Sequence, residues 1–272
     1  MKKLGELTEE QLRGKLKKVR CFLLDMDGTF YLGDQIFEGS LAFLRAVEES
    51  GRSFAFLTNN SSRGTEHYIK KLEAMGVFIG ERQMLSSGQA AAMYLLREHP
   101  GKRVFLLGND SLLAEMQRFG IKIDQEKPEI VLIGFDTSLN YAKMCAVCDF
   151  VRAGLPYIAT HPDFNCPTPT GFVPDIGAII AFIEASAGRR PDLIVGKPYG
   201  EIVRAAAERT GLQPGEMAMV GDRLYTDIKT GLDHGLLSVM VLTGEGSEKE
   251  IEQTGIEPEV LVERLSDLIP YL

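Results

Sequence analysis

The sequence predicts an α/β protein, a doubly wound parallel sheet interrupted by an inserted α/β unit. Three observations carry this expectation. Short apolar runs alternate with amphipathic segments of helical length, as when parallel strands are joined by crossover helices. Several runs end in a polar or charged residue, where open α/β sheets place their ligands. The pattern restarts with its own strands and helices after about residue 78 and resumes near residue 191. Residues 1–78 and 191–272 are therefore expected to form the core, and 79–190 a domain of their own.

The totals narrow the function classes. The chain has 272 residues, 44% of them hydrophobic, enough for one or two packed cores. A net charge of −8 argues against nucleic acid or an anionic membrane as partner. No apolar stretch approaches the roughly 20 residues of a membrane helix. Met1-Lys2-Lys3 is charged but no apolar run follows, so no secretory signal is expected. Four cysteines in a chain of this length do not make a disulfide framework, and a cytoplasmic location is expected.

In chain order, Thr8-Glu9-Glu10-Gln11 reads as a capping box opening a helix over 8–18. Cys21-Phe22-Leu23-Leu24 is too short for a helix and lacks a helical stripe, so it reads as a strand buried on both faces. Ser40 is expected to cap a helix over 41–50 that Gly51 ends. A strand over 53–57 then delivers Thr58-Asn59-Asn60-Ser61-Ser62, and a helix over 65–75 follows. In the insert, Ser86 and Gln89 form a second capping-box pattern, strands are expected over 104–107, 130–135 and 157–160, and helices over 112–119 and 141–153. The proline-punctuated run 161–174 reads as a positioned loop. The outer pattern resumes with strands over 192–195 and 217–220, the turn Gly221-Asp222-Arg223-Leu224-Tyr225-Thr226-Asp227, a helix over 226–233 and a strand over 237–242.

Asp25-Met26-Asp27-Gly28-Thr29 follows the first strand. Carboxylates this close repel each other, so the pair calls for a cation or one shared proton; the alternative is a plain Asp-Gly turn. Three further strand ends weigh on that choice. Thr58, Lys197 and Asp222 each follow an apolar run of the outer pattern, which in one parallel sheet would line a hydroxyl, an ammonium and a third carboxylate along one edge. Three carboxylates against one Lys suit a hard divalent cation such as Mg²⁺. A metal beside Lys and hydroxyl donors is a phosphate-binding composition, in which a carboxylate can attack phosphorus through an aspartyl-phosphate. Two unit charges about 4 Å apart interact by roughly 4 kcal/mol at an effective dielectric near 20, so a phosphate dianion would not approach Asp25 unaided.

These residues resemble the haloacid dehalogenase (HAD) superfamily. Asp25-Met26-Asp27-Gly28-Thr29 matches its first motif, Thr58 its second, Lys197 its third, and Gly221-Asp222 with Asp227 its fourth. The runs 58–62, Gly196-Lys197-Pro198 and 221–227, with the long insert between the second and third motifs, look like the large-cap branch of NagD-type and 4-nitrophenyl-phosphate phosphatases. The resemblance implies a Rossmann-like HAD core with an α/β cap, and Mg²⁺-dependent hydrolysis of small-molecule phosphate monoesters. It implies Asp25 as nucleophile and Asp27 as the acid that protonates the leaving oxygen and later activates water. Mg²⁺ would be held by the carboxylates of Asp25 and Asp222 and the main-chain carbonyl of Asp27. Thr58, the backbone N–H groups of Asn59 and Asn60, and Lys197 would hold the phosphoryl oxygens. Asp227 would orient Lys197 or a metal-bound water, or else cap the helix that begins beside it. The partner is expected to be a small phosphorylated metabolite, with a homodimer formed through the cap.

Other features read more plainly. Cys145 and Cys148 form a C-x-x-C inside a helical stretch, with no second pair to complete a zinc site, and are expected to be buried helix residues. His67, His99, His161 and His234 are scattered and no G-x-S-x-G accompanies them, which argues against a serine hydrolase. His161, Asp163, Asn165 and Cys166 would by resemblance face the substrate, or else belong to a loop held by its prolines. The rival readings are a non-catalytic phospho-acceptor switch, which lacks a large insert; a dehalogenase, which needs neither Asp27 nor Asp222; and a phosphosugar mutase or phosphotransferase, which differs in the acceptor.

Overall fold

The computed structural model describes residues 8–168 and 170–272. The secretory-signal reading at Met1-Lys2-Lys3 lies outside the described residues. Among those described, no helix is long and apolar enough to cross a membrane.

The chain forms two compact units. One takes the chain up to Leu57, Ile69–Met84 and Ala206–Leu272; the other takes Thr58–Tyr68 and Leu85–Ala205.

The first unit is built on a six-stranded sheet in the order Val260–Val262, Leu237–Val241, Met217–Gly221, Cys21–Leu24, Ser53–Thr58, Met84–Ser86. Cys21–Leu24 pairs in parallel with both Met217–Gly221 and Ser53–Thr58, Leu24 lying opposite Val220 on one side and Phe56 on the other. All four of its residues are buried. That is why the strand reads as an unbroken apolar run: a central strand covered on both faces has no side to spare for polar residues. Phe22 packs edge-on against Phe43 of the helix Ser40–Glu49, and Phe30 against Phe56, with ring centroids 5.4 and 5.0 Å apart. Burying each such ring contributes about 1.5–3 kcal/mol.

The helix starts follow the sequence unevenly. At Glu9–Leu16 the Thr8 capping box forms in both directions, the Thr8 hydroxyl accepting from Gln11 N–H and the Gln11 side chain from Thr8 N–H. Ser40 does not cap its helix. It is the first helical residue, and Gly39 stands before it in a left-handed conformation (φ 83°). A side chain at Gly39 would press on Ser266, so contact with the C-terminal segment, invisible in local sequence, decides the start.

The second unit holds a five-stranded parallel sheet, ordered Leu193–Ile194, Tyr157–Ala159, Ile130–Ile133, Arg103–Leu107, Lys122–Ile123. Phe105, Val131, Tyr157, Ile176 and Ile183 form its core with Val147 and Cys148 of the helix Tyr141–Arg152. Cys145, on the same helix, is exposed, so only one of the two cysteines is buried as expected.

Two expectations change here. The strand preceding Gly196-Lys197-Pro198 does not join the sheet that carries Asp25. Leu193 pairs with Ile158 and Ile194 with Ala159, in the second unit. A short apolar run identifies a strand but carries no mark of which sheet it joins, since pairing is decided by distant partners. The run expected as a loop contains a hairpin, Asn165–Thr168 antiparallel to Gly171–Pro174. Both strands stand largely in solvent, so neither shows the alternation that signals a half-buried strand.

Candidate active site

An acidic cluster lies in the first unit. Asp25 follows the central strand directly, and its N–H donates to the Val220 carbonyl at 2.9 Å, continuing the parallel ladder one residue further. Asp222 follows the neighbouring strand Met217–Gly221 and is buried. Asp227 is wholly buried on the π-helical turn Leu224–Ile228. Asp25, Asp222 and Asp227 each offer one carboxylate oxygen, and these lie within 4.8 Å of one another. Within that spacing each pair of unit charges repels by at least about 3.5 kcal/mol at an effective dielectric near 20. An all-oxygen, acidic donor set of this kind fits a hard divalent cation.

Close packing holds Asp222 still. Its Oδ2 accepts from Glu245 N–H at 2.8 Å and its Oδ1 from the Thr29 hydroxyl at 3.3 Å, while its carbonyl accepts from Gly246 N–H at 3.1 Å. Gly28 and Gly244 press on the same carboxyl group, and a Cβ at either would overlap it. Gly28 also needs its freedom at φ 87°, a region that L side chains rarely adopt. Thr243 clasps this turn, its hydroxyl donating to the Gly28 carbonyl at 2.6 Å. The segment Thr243-Gly244-Glu245-Gly246 was not singled out from sequence. Its signal was present: it follows another strand of the same parallel sheet and is rich in glycine.

Asp227 does not cap a helix. The helix Lys229–His234 begins after Ile228 with no side-chain cap, and Asp227 Oδ2 accepts instead from Arg223 N–H at 3.2 Å. Gly221 makes room for it, since a Cβ there would overlap the Asp227 carboxyl group. The Arg223 guanidinium pairs with Glu245 at 2.9 Å. Burial works against its charge, but Asp25, Tyr225, Glu245 and Asp222 outweigh that, and its pKa is raised.

Asp27 stands apart from the cluster. It reaches solvent, yet protein crowds the carboxyl group closely enough that desolvation pushes its pKa above the ordinary value; Lys71, Arg223 and Tyr31 oppose the shift. Lys71 lies over the Tyr31 ring, 4.1 Å from its centroid.

The hydroxyl and ammonium residues expected from sequence, Thr58 and Lys197, lie in the second unit. Thr58 is the last residue of the strand Ser53–Thr58 and is buried. Its hydroxyl accepts from Asn60 N–H at 3.2 Å, so one of the two N–H groups expected to meet a phosphoryl oxygen is engaged locally. The Asn60 side-chain oxygen caps Ser62, accepting from its N–H and hydroxyl, each at 2.8 Å. Asn59 spans the Lys197 peptide: its Oδ1 accepts from Lys197 N–H at 2.7 Å and its Nδ2 donates to the Lys197 carbonyl at 2.9 Å. Lys197 is buried, and the Lys197–Pro198 bond is cis. Asn59 Nδ2 also meets Asp163 at 3.2 and 3.3 Å. Sequence reasoning had assigned Asn59 only through its backbone and missed this side-chain contact, which joins residues 138 apart and has no local signature.

Comparison with known proteins agrees with these motifs. A family model described as haloacid dehalogenase-like hydrolase matches residues 22–122, and a second, HAD-hydrolase-like, matches 194–268. An acid sugar phosphatase of Staphylococcus aureus (strain MRSA252) is 32% identical over 258 residues, covering 94% of this chain and 99% of that protein. The structure of a 4-nitrophenylphosphatase from Thermotoga maritima superposes with a TM-score of 0.91 at 44% identity, covering 94% of this chain and 98% of that one. NagD from E. coli K-12 gives a TM-score of 0.85 at 30% identity, over 92% and 98% of the two chains. With its parallel sheets flanked by helices and its inserted α/β cap, the chain belongs to the haloacid dehalogenase superfamily, in the large-cap branch of NagD and the 4-nitrophenylphosphatases.

Proposed function

We propose that this protein hydrolyses small-molecule phosphate monoesters with Mg²⁺, through an aspartyl-phosphate on Asp25. The class is a phosphoric monoester hydrolase, a HAD-type phosphatase. The observation that supports the reading most is the convergence of Asp25, Asp222 and Asp227 at the carboxyl ends of adjacent parallel strands.

Asp25 and Asp222, with the Asp27 carbonyl, would hold the ion. When bound, Mg²⁺ supplies the positive charge that lets an anionic phosphate reach a carboxylate and offsets the charge that develops on its oxygens. The residues of the chain do the rest. Asp25 attacks phosphorus in line, forming the P–O bond to its carboxylate as the ester oxygen leaves. Asp27 gives that oxygen its proton, and the raised Asp27 pKa favours the proton-bearing form this step uses. Asp27 then takes a proton from the water that hydrolyses the acyl phosphate, which returns Asp25 as the free carboxylate. Thr58, the Asn59 N–H and Lys197 would bind the phosphoryl group, the Lys197 ammonium matching its charge, and the Asn60 N–H would join them only by turning from the Thr58 hydroxyl.

The cap, expected over 79–190, would choose among nucleotides, sugar phosphates, glycerol phosphate and pyridoxal phosphate. Its hairpin exposes Phe172, flanked by an exposed Phe164, and these rings are proposed to meet a second copy of the chain. Light scattering tests this directly, and a monomer at micromolar concentration would overturn the dimer.

Asp25→Asn tests the central claim. The variant keeps the shape of the strand end and the backbone bond to Val220, so it should fold and should lose hydrolysis of 4-nitrophenyl phosphate. Activity above a few per cent of the parent's would refute Asp25 as nucleophile.

A further inference from the structure

His161 is fully buried in the second unit and takes no part in the chemistry described so far. Each of its ring nitrogens faces a carboxylate. Nδ1 lies 3.6 Å from Asp163 Oδ2, and Nε2 lies 3.5 Å from Asp175 Oδ1. Neither nitrogen has a hydrogen-bond partner among the described residues, and the two carboxylates stand at ion-pair distance. Asp175 is fixed independently, as the N-cap of the helix Ile176–Ala187, with Oδ1 accepting from Ile176 N–H at 2.6 Å.

The second carboxylate leads toward Lys197. Asp163 accepts from Asn59 Nδ2 at 3.2 and 3.3 Å, and Asn59 holds the Lys197 peptide by its N–H and its carbonyl. Gly196 lets these groups close up, since a Cβ there would stand 2.6 Å from Asn59 Oδ1 and 2.8 Å from His161 Cβ. The contacts therefore form an unbroken chain: the helix cap Asp175, His161, Asp163, Asn59, and the backbone of Lys197.

We propose that His161 is a positioning residue for Lys197, acting through Asp163 and Asn59. This rests on the reading of Lys197 as a ligand of the phosphoryl group. Asp163 stands at the edge of the packed interior between Asn59 and the imidazole, and without the ring on its far side it would turn toward water. Asn59 Nδ2 would then lose its orienting acceptor, and its grip on the Lys197 peptide would loosen. A buried group that orients a ligand-bearing residue in this way is commonly worth about 10–100-fold in the affinity it supports.

The test uses His161→Gln in the full chain, with two readouts. The first is hydrogen exchange at the Lys197 amide, which reports the bond to Asn59 Oδ1 and does not depend on activity. It should speed up by about tenfold or more relative to neighbouring amides of the same unit. The second is inhibition of 4-nitrophenyl phosphate hydrolysis by inorganic phosphate. Its inhibition constant and KM should rise about tenfold, while kcat stays within about threefold and the half-activating Mg²⁺ concentration is unchanged. Unchanged exchange at Lys197 would overturn the inference. Faster exchange with unaltered phosphate inhibition would leave the positioning chain standing and refute Lys197 as the phosphate ligand. If His161→Gln does not fold, Asp163→Ala removes the acceptor that orients Asn59 Nδ2. It should shift both readouts in the same direction, and parent-like values in this variant would equally overturn the inference.

Discussion

Gly28 and Asp222 occupy space that admits no side chain at position 28. A Cβ on Gly28 would overlap the Asp222 carboxyl group, and the residue sits at φ 87° besides. The turn after Asp27 thus packs directly on one of the two carboxylates that cluster with Asp25.

Gly28→Ala should therefore damage the metal site before it damages the fold. The left-handed backbone costs an alanine roughly 1–2 kcal/mol, within the stability of an ordinary domain. Displacing Asp222 should raise the half-activating Mg²⁺ concentration by at least about tenfold and lower kcat. Metal titration of 4-nitrophenyl phosphate hydrolysis, with a thermal melt beside it, checks both parts. A variant with unchanged metal dependence would mean that Asp222 does not bind the ion.

Asp27→Asn should separate substrates by leaving group. A nitrophenolate departs without help, whereas an alkoxide needs its proton delivered as the bond breaks. The rate with an alkyl phosphate should fall by about 10²–10⁴-fold, and that with 4-nitrophenyl phosphate by distinctly less in the first step. Burst kinetics resolves phosphorylation of Asp25 from hydrolysis of the acyl phosphate. Equal losses in the phosphorylation step for both substrates would remove Asp27 from the acid role.

How far the sequence disclosed this site depends on the range of the interaction. Cys21–Leu24 was legible because burial on both faces writes itself as a continuous apolar run, and the carboxylates after it follow from chain direction alone. The Thr8 cap was legible because both partners lie within four residues. The sheet chosen by Leu193–Ile194 was not, because its partner strand Tyr157–Ala159 lies more than 30 residues away and leaves no trace in the local pattern. The bonds from Asn59 to Lys197, and the packing of Gly244 on Asp222, escaped for the same reason. Residue types at strand ends located the site; the contacts that set its geometry are non-local.

Metal binding should stabilise the folded chain as well as activate it. Two of the three clustered carboxylates, Asp222 and Asp227, are almost fully buried, so the native state carries repulsion that an ion relieves. At 100 times its dissociation constant a ligand specific to the native state adds about 2.7 kcal/mol. The melting temperature should rise with Mg²⁺ by several degrees, and Asp222→Asn should abolish the rise. Chelation with EDTA should stop turnover, and fresh Mg²⁺ should restore it. Full activity in metal-free buffer would refute the cation's role.

Asp227 provides the sharpest division between a structural and a metal-linked role. A helix cap would lose about 1 kcal/mol on substitution and leave metal dependence alone. The geometry favours the other outcome, since its oxygen shares a 4.8 Å cluster with Asp25 and Asp222 while the following helix goes uncapped. Asp227→Asn keeps the size of the side chain and an acceptor for Arg223 N–H, so the melting temperature should change by only a few degrees. The half-activating Mg²⁺ concentration should rise by about tenfold or more, because one of three clustered negative charges is gone. If stability falls while the metal titration stays where it was, Asp227 serves the turn Leu224–Ile228 and the ion is held without it.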